Sequence, residues 1–198
     1  MADAELDDAA DRILKAAGDR FLHYGYGKTT MSEIARDCNM STGNLYRYFP
    51  SKLDIAEAFV RGLRHAQIKE LRKASATGGS PSERLRNVLR TKFRLAYDRW
   101  HGQPKAYELT AEILAERPQF ADEWEAAEAE VVAEILEAGA AAGEFGKGDQ
   151  KRVARLVLDA AFRFTSSAVF YEGECEVLSR ELDEVIALIL DGLAHRAR

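Results

Sequence analysis

Residues 29–52 read TTMSEIARDCNMSTGNLYRYFPSK, and their pattern decides the fold. Thr30 followed three residues later by Glu33 is a capping box: the hydroxyl accepts from the Glu33 amide while the carboxylate reaches back, so a helix starts there. Ile34 and Ala35 supply its buried face, Cys38 and Met40 bracket a turn, and Leu45 with Phe49 form an i,i+4 apolar pair on a second helix. The spacing predicts helices over 31–38 and 42–49, with Thr42, Gly43, Asn44, Tyr46, Arg47 and Tyr48 left outside. Two short helices joined by a tight turn, with a face of small polar, aromatic and basic groups, suit insertion into a DNA major groove. Phe49 reads as core; Tyr46 reads equally as a packed ring or as a ring whose hydroxyl reaches a phosphate.

The charge distribution supports that face. The 198 residues carry a formal charge of −5, which by itself argues against nucleic acid. Between Arg12 and Ser75, however, 12 Lys and Arg stand against 6 Asp and Glu, so this stretch is at +6 and the rest of the chain at −11. Phosphate attraction depends on the field within a Debye length, about 8 Å at physiological salt, so the local surplus matters more than the total. The longest apolar runs are far too short to span a membrane, and MADAELDDAADR is acidic where a signal peptide is basic and then apolar; a soluble, cytoplasmic protein is expected. Cys38 and Cys175 form neither a disulfide framework nor a metal spacing.

Helix formers are abundant and alternating β-branched runs are missing, so the chain reads as all-α with nine helices. A flexible acidic tail is expected over 1–8. The first helix follows over about 9–24, with Ile13, Ala17 and Phe21 in line and Gly25 and Gly27 as its stop. A fourth helix starts at the Ser51-Lys52-Leu53-Asp54 cap and carries Ile55, Phe59 and Leu63 inward, closing a domain over 9–75. The segment ATGGS at 76–80 marks a boundary, and Ser80-Pro81-Ser82-Glu83 starts a second domain over 81–198. Its helices are expected at about 81–101, 103–116, 118–142, 150–172 and 176–195.

With the helix before it and the helix after it, the opening stretch resembles the TetR/AcrR family of bacterial transcriptional regulators. The resemblance rests on Phe21 and Gly25, Thr29-Thr30, Ile34-Ala35, Gly43, Leu45-Tyr46, Tyr48-Phe49 and Ser51-Lys52, at the family's spacing over about residues 10–60. Beyond residue 80 only the general plan matches, a helical domain for ligand binding and dimerisation. The resemblance implies that Thr30 and Ser32 face the DNA backbone, and that Ser41, Thr42, Gly43 and Asn44 lie at the start of the recognition helix. Tyr46, Arg47 and Tyr48 then straddle the groove and Lys52 holds a phosphate. Asn44 and Arg47 have the chemistry to read adenine and guanine; Tyr46, Tyr48 and Lys52 position. Two positions depart from the family pattern: Asn39 stands where the turn usually has glycine, and Thr42 is neutral where many relatives are basic.

The second domain concentrates Tyr97, Trp100, His101, Tyr107, Phe162, Phe164, Thr165 and Tyr171, which read either as an ordinary aromatic core or as the lining of a small-molecule pocket; Tyr97, Trp100, His101, Tyr107, Phe162 and Thr165 are the candidate ligand contacts. Leu156, Ala160 and Phe164 on one helix and Leu182, Val185, Ile186, Ile189 and Leu193 on the last form stripes that are either intramolecular or, as the resemblance implies, a dimer interface. An isologous dimer reads a near-palindromic operator. His65, and His101 with Glu108 and Glu112, lack a metal-ligand spacing, and no Ser-His-acid set can be singled out, so neither metal, cofactor nor catalysis is expected. The expected partners are double-stranded DNA, a small-molecule effector and a second copy, with no membrane. A ligand-independent DNA-binding regulator, or an enzyme on a helical bundle, are the other readings.

Overall fold

The computed structural model describes residues 2–102, 104–165 and 174–195, with side chains over 8–99, 105–165 and 174–195. These hold nine α-helices and no strand: α1 (Ala2–Tyr24), α2 (Met31–Asp37), α3 (Thr42–Tyr48), α4 (Lys52–Ser75), α5 (Pro81–Gly102), α6 (Pro104–Glu116), α7 (Gln119–Ala141), α8 (Gln150–Ala160) and α9 (Cys175–His195), with a 3-10 turn over Phe162–Thr165.

Two elements differ from the sequence reading. The tail expected to be flexible over 1–8 is helical from Ala2, as part of α1. It contains neither Gly nor Pro, and its acidic residues lie at the positive end of the helix. The helix expected over 150–172 stops at Ala160 and passes through Ala161 into the 3-10 turn. The Thr165 hydroxyl donates to the Phe162 carbonyl at 3.1 Å, a local bond that competes with helix propagation. Tyr171 lies outside the described residues.

The chain folds as two compact units, 1–65 with 103–120 and 66–102 with 121–198. The division therefore falls within α4, and α6 belongs to the first unit, although its sequence position follows the ATGGS segment. That segment is a clamped turn of the second unit: Arg84 Nε donates to the Ser75 carbonyl at 2.5 Å, Asn87 Nδ2 to the Thr77 carbonyl at 2.8 Å, and Glu83 accepts from the Gly79 and Ser80 amides at 2.8 and 3.0 Å.

In the first unit, Ile13, Ala17 and Phe21 of α1 are buried with Ile34 and Ala35 of α2, Leu45 of α3, Ile55 and Val60 of α4, and Leu109 and Ile113 of α6. Each of the Ile, Leu, Val and Phe side chains among them stabilises by about 1.5–3 kcal/mol on burial. Gly18 has a positional reason: a Cβ there would overlap the Phe59 ring, so glycine lets α1 and α4 approach. In the second unit, Leu85, Val88, Leu89 and Phe93 of α5 form one cluster with Val131, Val132, Ile135 and Leu136 of α7, Ala154 and Val157 of α8, and Leu178, Leu182 and Ile186 of α9.

Candidate nucleic-acid interface and effector site

Local hydrogen bonds shape the helix pair. Glu33 N donates to Thr30 Oγ1 at 3.3 Å, while the Thr30 amide and hydroxyl both donate to Glu33 Oε2, at 2.9 and 2.8 Å. The Thr30 side chain holds the Glu33 carboxyl below its ordinary range. Asn39 takes a φ of 54°, the left-handed conformation in which it replaces the family's glycine, and Met40 N donates to the Ala35 carbonyl at 2.9 Å to close the turn. Ser41 then caps α3 by accepting from Asn44 N at 3.1 Å. From α1, the Arg20 guanidinium bonds Asp37 and lies 3.3 Å from Glu33, fixing α2 against the first helix.

Helix α3 is seven residues long and its buried residue is Leu45. Arg47 and Gly43 face outward, Tyr46 is 50% exposed, Thr42, Asn44 and Tyr48 are half-buried, and Ser32 and Ser41 are exposed. Phe49, read as core, is only half-buried, because it is already the extended C-cap of α3. A Cβ at Gly43 would meet nothing within 4 Å, so nothing inside the fold demands glycine there. Exposed Arg47 and Lys28 take part in no ion pair among the described residues, and Arg36 only approaches Asp37 at 3.9 Å. Lys28 and Arg36 were absent from the sequence-derived set; the positive surplus over 12–75 contained them, but no motif singled them out.

Lys52 is placed differently from the phosphate-binding role that the resemblance implied. Its Nζ donates to the Tyr26 and Thr29 carbonyls at 2.7 and 2.8 Å and lies 4.1 Å from the Tyr26 ring centroid. Burial lowers its pKa, partly offset by Glu112. The ammonium is thus an internal staple between the start of α4 and the loop before α2. Thr30 is likewise engaged, its hydroxyl and amide held by Glu33 rather than turned to an outside group.

A second clamp holds α4. Arg117, after the end of α6, bonds Asp54 Oδ1 at 2.5 Å and also bonds Glu57; Ser51 Oγ donates to Asp54 at 2.7 Å, and Arg61 to Glu57 at 2.8 Å. The Arg117 bond holds the Asp54 carboxyl below its ordinary range, and the Arg61 and Arg117 bonds do the same for Glu57. Lys105 on α6 donates to the His23 carbonyl of α1.

The described members of the expected ligand set differ in exposure and partners. Tyr97 is half-buried beside Phe93, with ring centroids 6.0 Å apart. Phe162 is 65% exposed, Thr165 bonds its own turn, and exposed Tyr107 lies on α6 in the other unit. The side chains of Trp100 and His101 lie outside the described residues. One cavity of about 350 Å³ lies at the turn before α8, bounded by Gly146, Asp149, Arg152, Leu156 and Leu193, and takes in none of them.

The expected dimer stripe also divides. Phe164, Leu182, Ile186 and Leu193 are buried inside the second unit and cannot meet a second copy without unfolding it. Val185 and Ile189 are half-buried, whereas Ala160 is exposed and Leu156 is 53% exposed. Leu188, 72% exposed on α9, was missed: the helical period places it beside Ile189, and sequence alone does not say which flank of an apolar stripe faces its own core.

Residues 13–59 match the family model of bacterial regulatory proteins, tetR family, and residues 81–186 match that of the tetracyclin repressor-like C-terminal domain. The chain is 27% identical over 116 residues to the HTH-type transcriptional repressor KstR2 of Mycobacterium tuberculosis, a match covering 59% of this chain and 58% of that one. It thus spans less than two thirds of that relative. With KstR2 of Mycolicibacterium smegmatis it is 28% identical over 189 residues, 93% of this chain and 90% of that one. Among solved structures, it is similar to the Thermus thermophilus repressor FadR in complex with lauroyl-CoA, with a TM-score of 0.66, 25% identity, and 93% and 94% of the two chains covered.

Proposed function

Because the chain belongs to the tetR family of bacterial regulatory proteins, and is thereby a helix-turn-helix transcriptional regulator, we propose that it is a homodimeric repressor that releases a near-palindromic operator when an acyl-bearing effector binds. One observation carries the DNA half of this reading. Helix α3 is anchored inward by Leu45 and turns Arg47, Tyr46 and Gly43 outward, with Arg47 outside any ion pair among the described residues. An unpaired guanidinium on a short, rigidly capped helix is suited to the O6 and N7 atoms of guanine. Asn44 is the second base reader, and Lys28 and Arg36 supply phosphate attraction.

The outward residues Leu156, Ala160 and Leu188 supply the apolar part of the contact between copies. The lauroyl-CoA complex of the T. thermophilus repressor supports the effector class proposed here. Release requires that the effector favour the DNA-incompetent state, and its differential affinity for the two states sets the extent of release.

The test is selection of bound fragments from the source genome, followed by fluorescence anisotropy on the recovered site with and without lauroyl-CoA. A near-palindrome bound by two copies and released by lauroyl-CoA is the expected result. Binding without sequence preference removes the operator reading, and a complex indifferent to lauroyl-CoA removes the effector class.

A further inference from the structure

The second unit contains a polar chain that joins α4, α5 and α7 away from the helix-turn-helix. Lys92 of α5 and Glu128 of α7 pair at 2.5 Å through Oε2, and Glu128 Oε1 accepts from Gln67 Nε2 of α4 at 2.6 Å. Both carboxylate oxygens are therefore engaged. The Gln67 Oε1 atom accepts from Arg99 Nη2 of α5 at 2.8 Å. Gln67 and Glu128 are buried, so three helices enclose two cations and one anion.

Arg99 is the cation in surplus. Its one hydrogen bond among the described residues goes to a neutral carboxamide, although a guanidinium has five N–H groups. Surrounding protein lowers its pKa, and Glu128, its charged neighbour, only partly offsets that effect. Yet Arg99 retains accessible surface, so it is not sealed inside the core. Lys92, Ala96 and Arg99 follow i,i+4,i+7 spacing and share one face of α5. A desolvated guanidinium lacking a carboxylate is unfavourable unless an anion completes its coordination.

We propose that Arg99, oriented by Gln67, is the receptor for the anionic oxygens of the effector, a carboxylate or a phosphate. This rests on the effector reading above and assigns its anchor. Glu128 neutralises Lys92 and limits how strongly the site attracts an anion.

The test is calorimetric titration of the full chain with dodecanoate, lauroyl-CoA and the uncharged dodecanol, all below micelle formation. At least one anion should bind with dodecanol about tenfold weaker or more, and Arg99→Met should weaken the anion by about tenfold or more. Arg99→Lys should retain part of the affinity, and Glu128→Gln should bind the anion several-fold more tightly than wild type. Dodecanoate binding assigns a carboxylate; binding of lauroyl-CoA alone assigns its phosphates. Should Arg99→Met fail to fold, Arg99→Lys and Glu128→Gln carry the same test. The proposal is overturned if dodecanol matches the anions, if the Arg99 variants bind them as wild type does, if Glu128→Gln leaves affinity unchanged, or if neither anion binds. Lauroyl-CoA that still releases DNA from Arg99→Met removes the anchor and leaves the effector reading standing.

Discussion

Lys52 Nζ lies 2.7 Å from the Tyr26 carbonyl oxygen and 4.1 Å from the centre of the same residue's ring, so one ammonium ties the first turn of α4 to the loop that precedes α2. That geometry predicts a positioning role for Lys52 in place of a phosphate contact. Lys52→Met should destabilise the protein by about 1.5–3 kcal/mol, the range for hydrogen bonds to a charged group. It should weaken operator binding without changing the slope of log affinity against log salt. A slope reduced by about one in this variant would show that Lys52 holds a phosphate after all.

Arg47→Ala is the contrasting variant. It removes an exposed group outside any ion pair among the described residues, so thermal stability should stay within about 0.5 kcal/mol of wild type. Operator affinity should fall by about 1–3 kcal/mol with relaxed preference at one base pair of each half-site, measured by anisotropy on a set of substituted operators.

Arg117→Gln tests the clamp on α4. Asp54 and Glu57 have carboxyls lowered by their guanidinium partners, so the folded state holds fewer protons than the unfolded one between the two sets of pKa values. The resulting stability is complete above the unfolded carboxylate range, about pH 4, and is lost as pH falls through the folded values. The variant should lose about 1–2 kcal/mol at neutral pH, allowing for partial solvent screening, and its stability should decline less steeply between about pH 5 and 3. Urea titrations across that range read both effects.

For the dimer, Leu188→Glu should shift the protein toward monomer in sedimentation while far-UV circular dichroism remains that of the folded chain, with Tm lowered only by the lost association. Ile186→Glu, at a buried position of the same helix, should instead unfold the second unit. A Leu188→Glu protein that stays dimeric places the contact on another surface.

Asn39 offers a stability measurement free of function. At φ 54° glycine is less strained than asparagine, so Asn39→Gly should be neutral or stabilising by up to about 1 kcal/mol, and Asn39→Ala should destabilise by about 1 kcal/mol.

The local devices were legible because their partners lie within a few residues. Thr30 and Glu33 form the capping box that their spacing implies, and Asn39 takes the left-handed conformation that its place in the turn requires. Arg47 was legible as an outward group because Leu45 and its helix neighbours set the inward face. Lys52, Leu188 and Arg99 were not, since each depends on a group far along the chain or on the flank of a helix that a neighbour happens to cover. The Thr165 hydroxyl that bonds the turn after α8 also escaped, because a Phe-Arg-Phe-Thr run is compatible with helix until that local bond is counted.

By itself, then, the sequence determined the all-helical class, the capped helix-turn-helix and its outward residues, through contacts that operate within one or two helical turns. The tertiary structure alone decided that α6 belongs with the first unit, that Lys52 faces inward to backbone carbonyls, and that half of the apolar stripe on the last helices is core. These outcomes depend on which helix faces pack together, a long-range choice that periodicity leaves open between equivalent flanks.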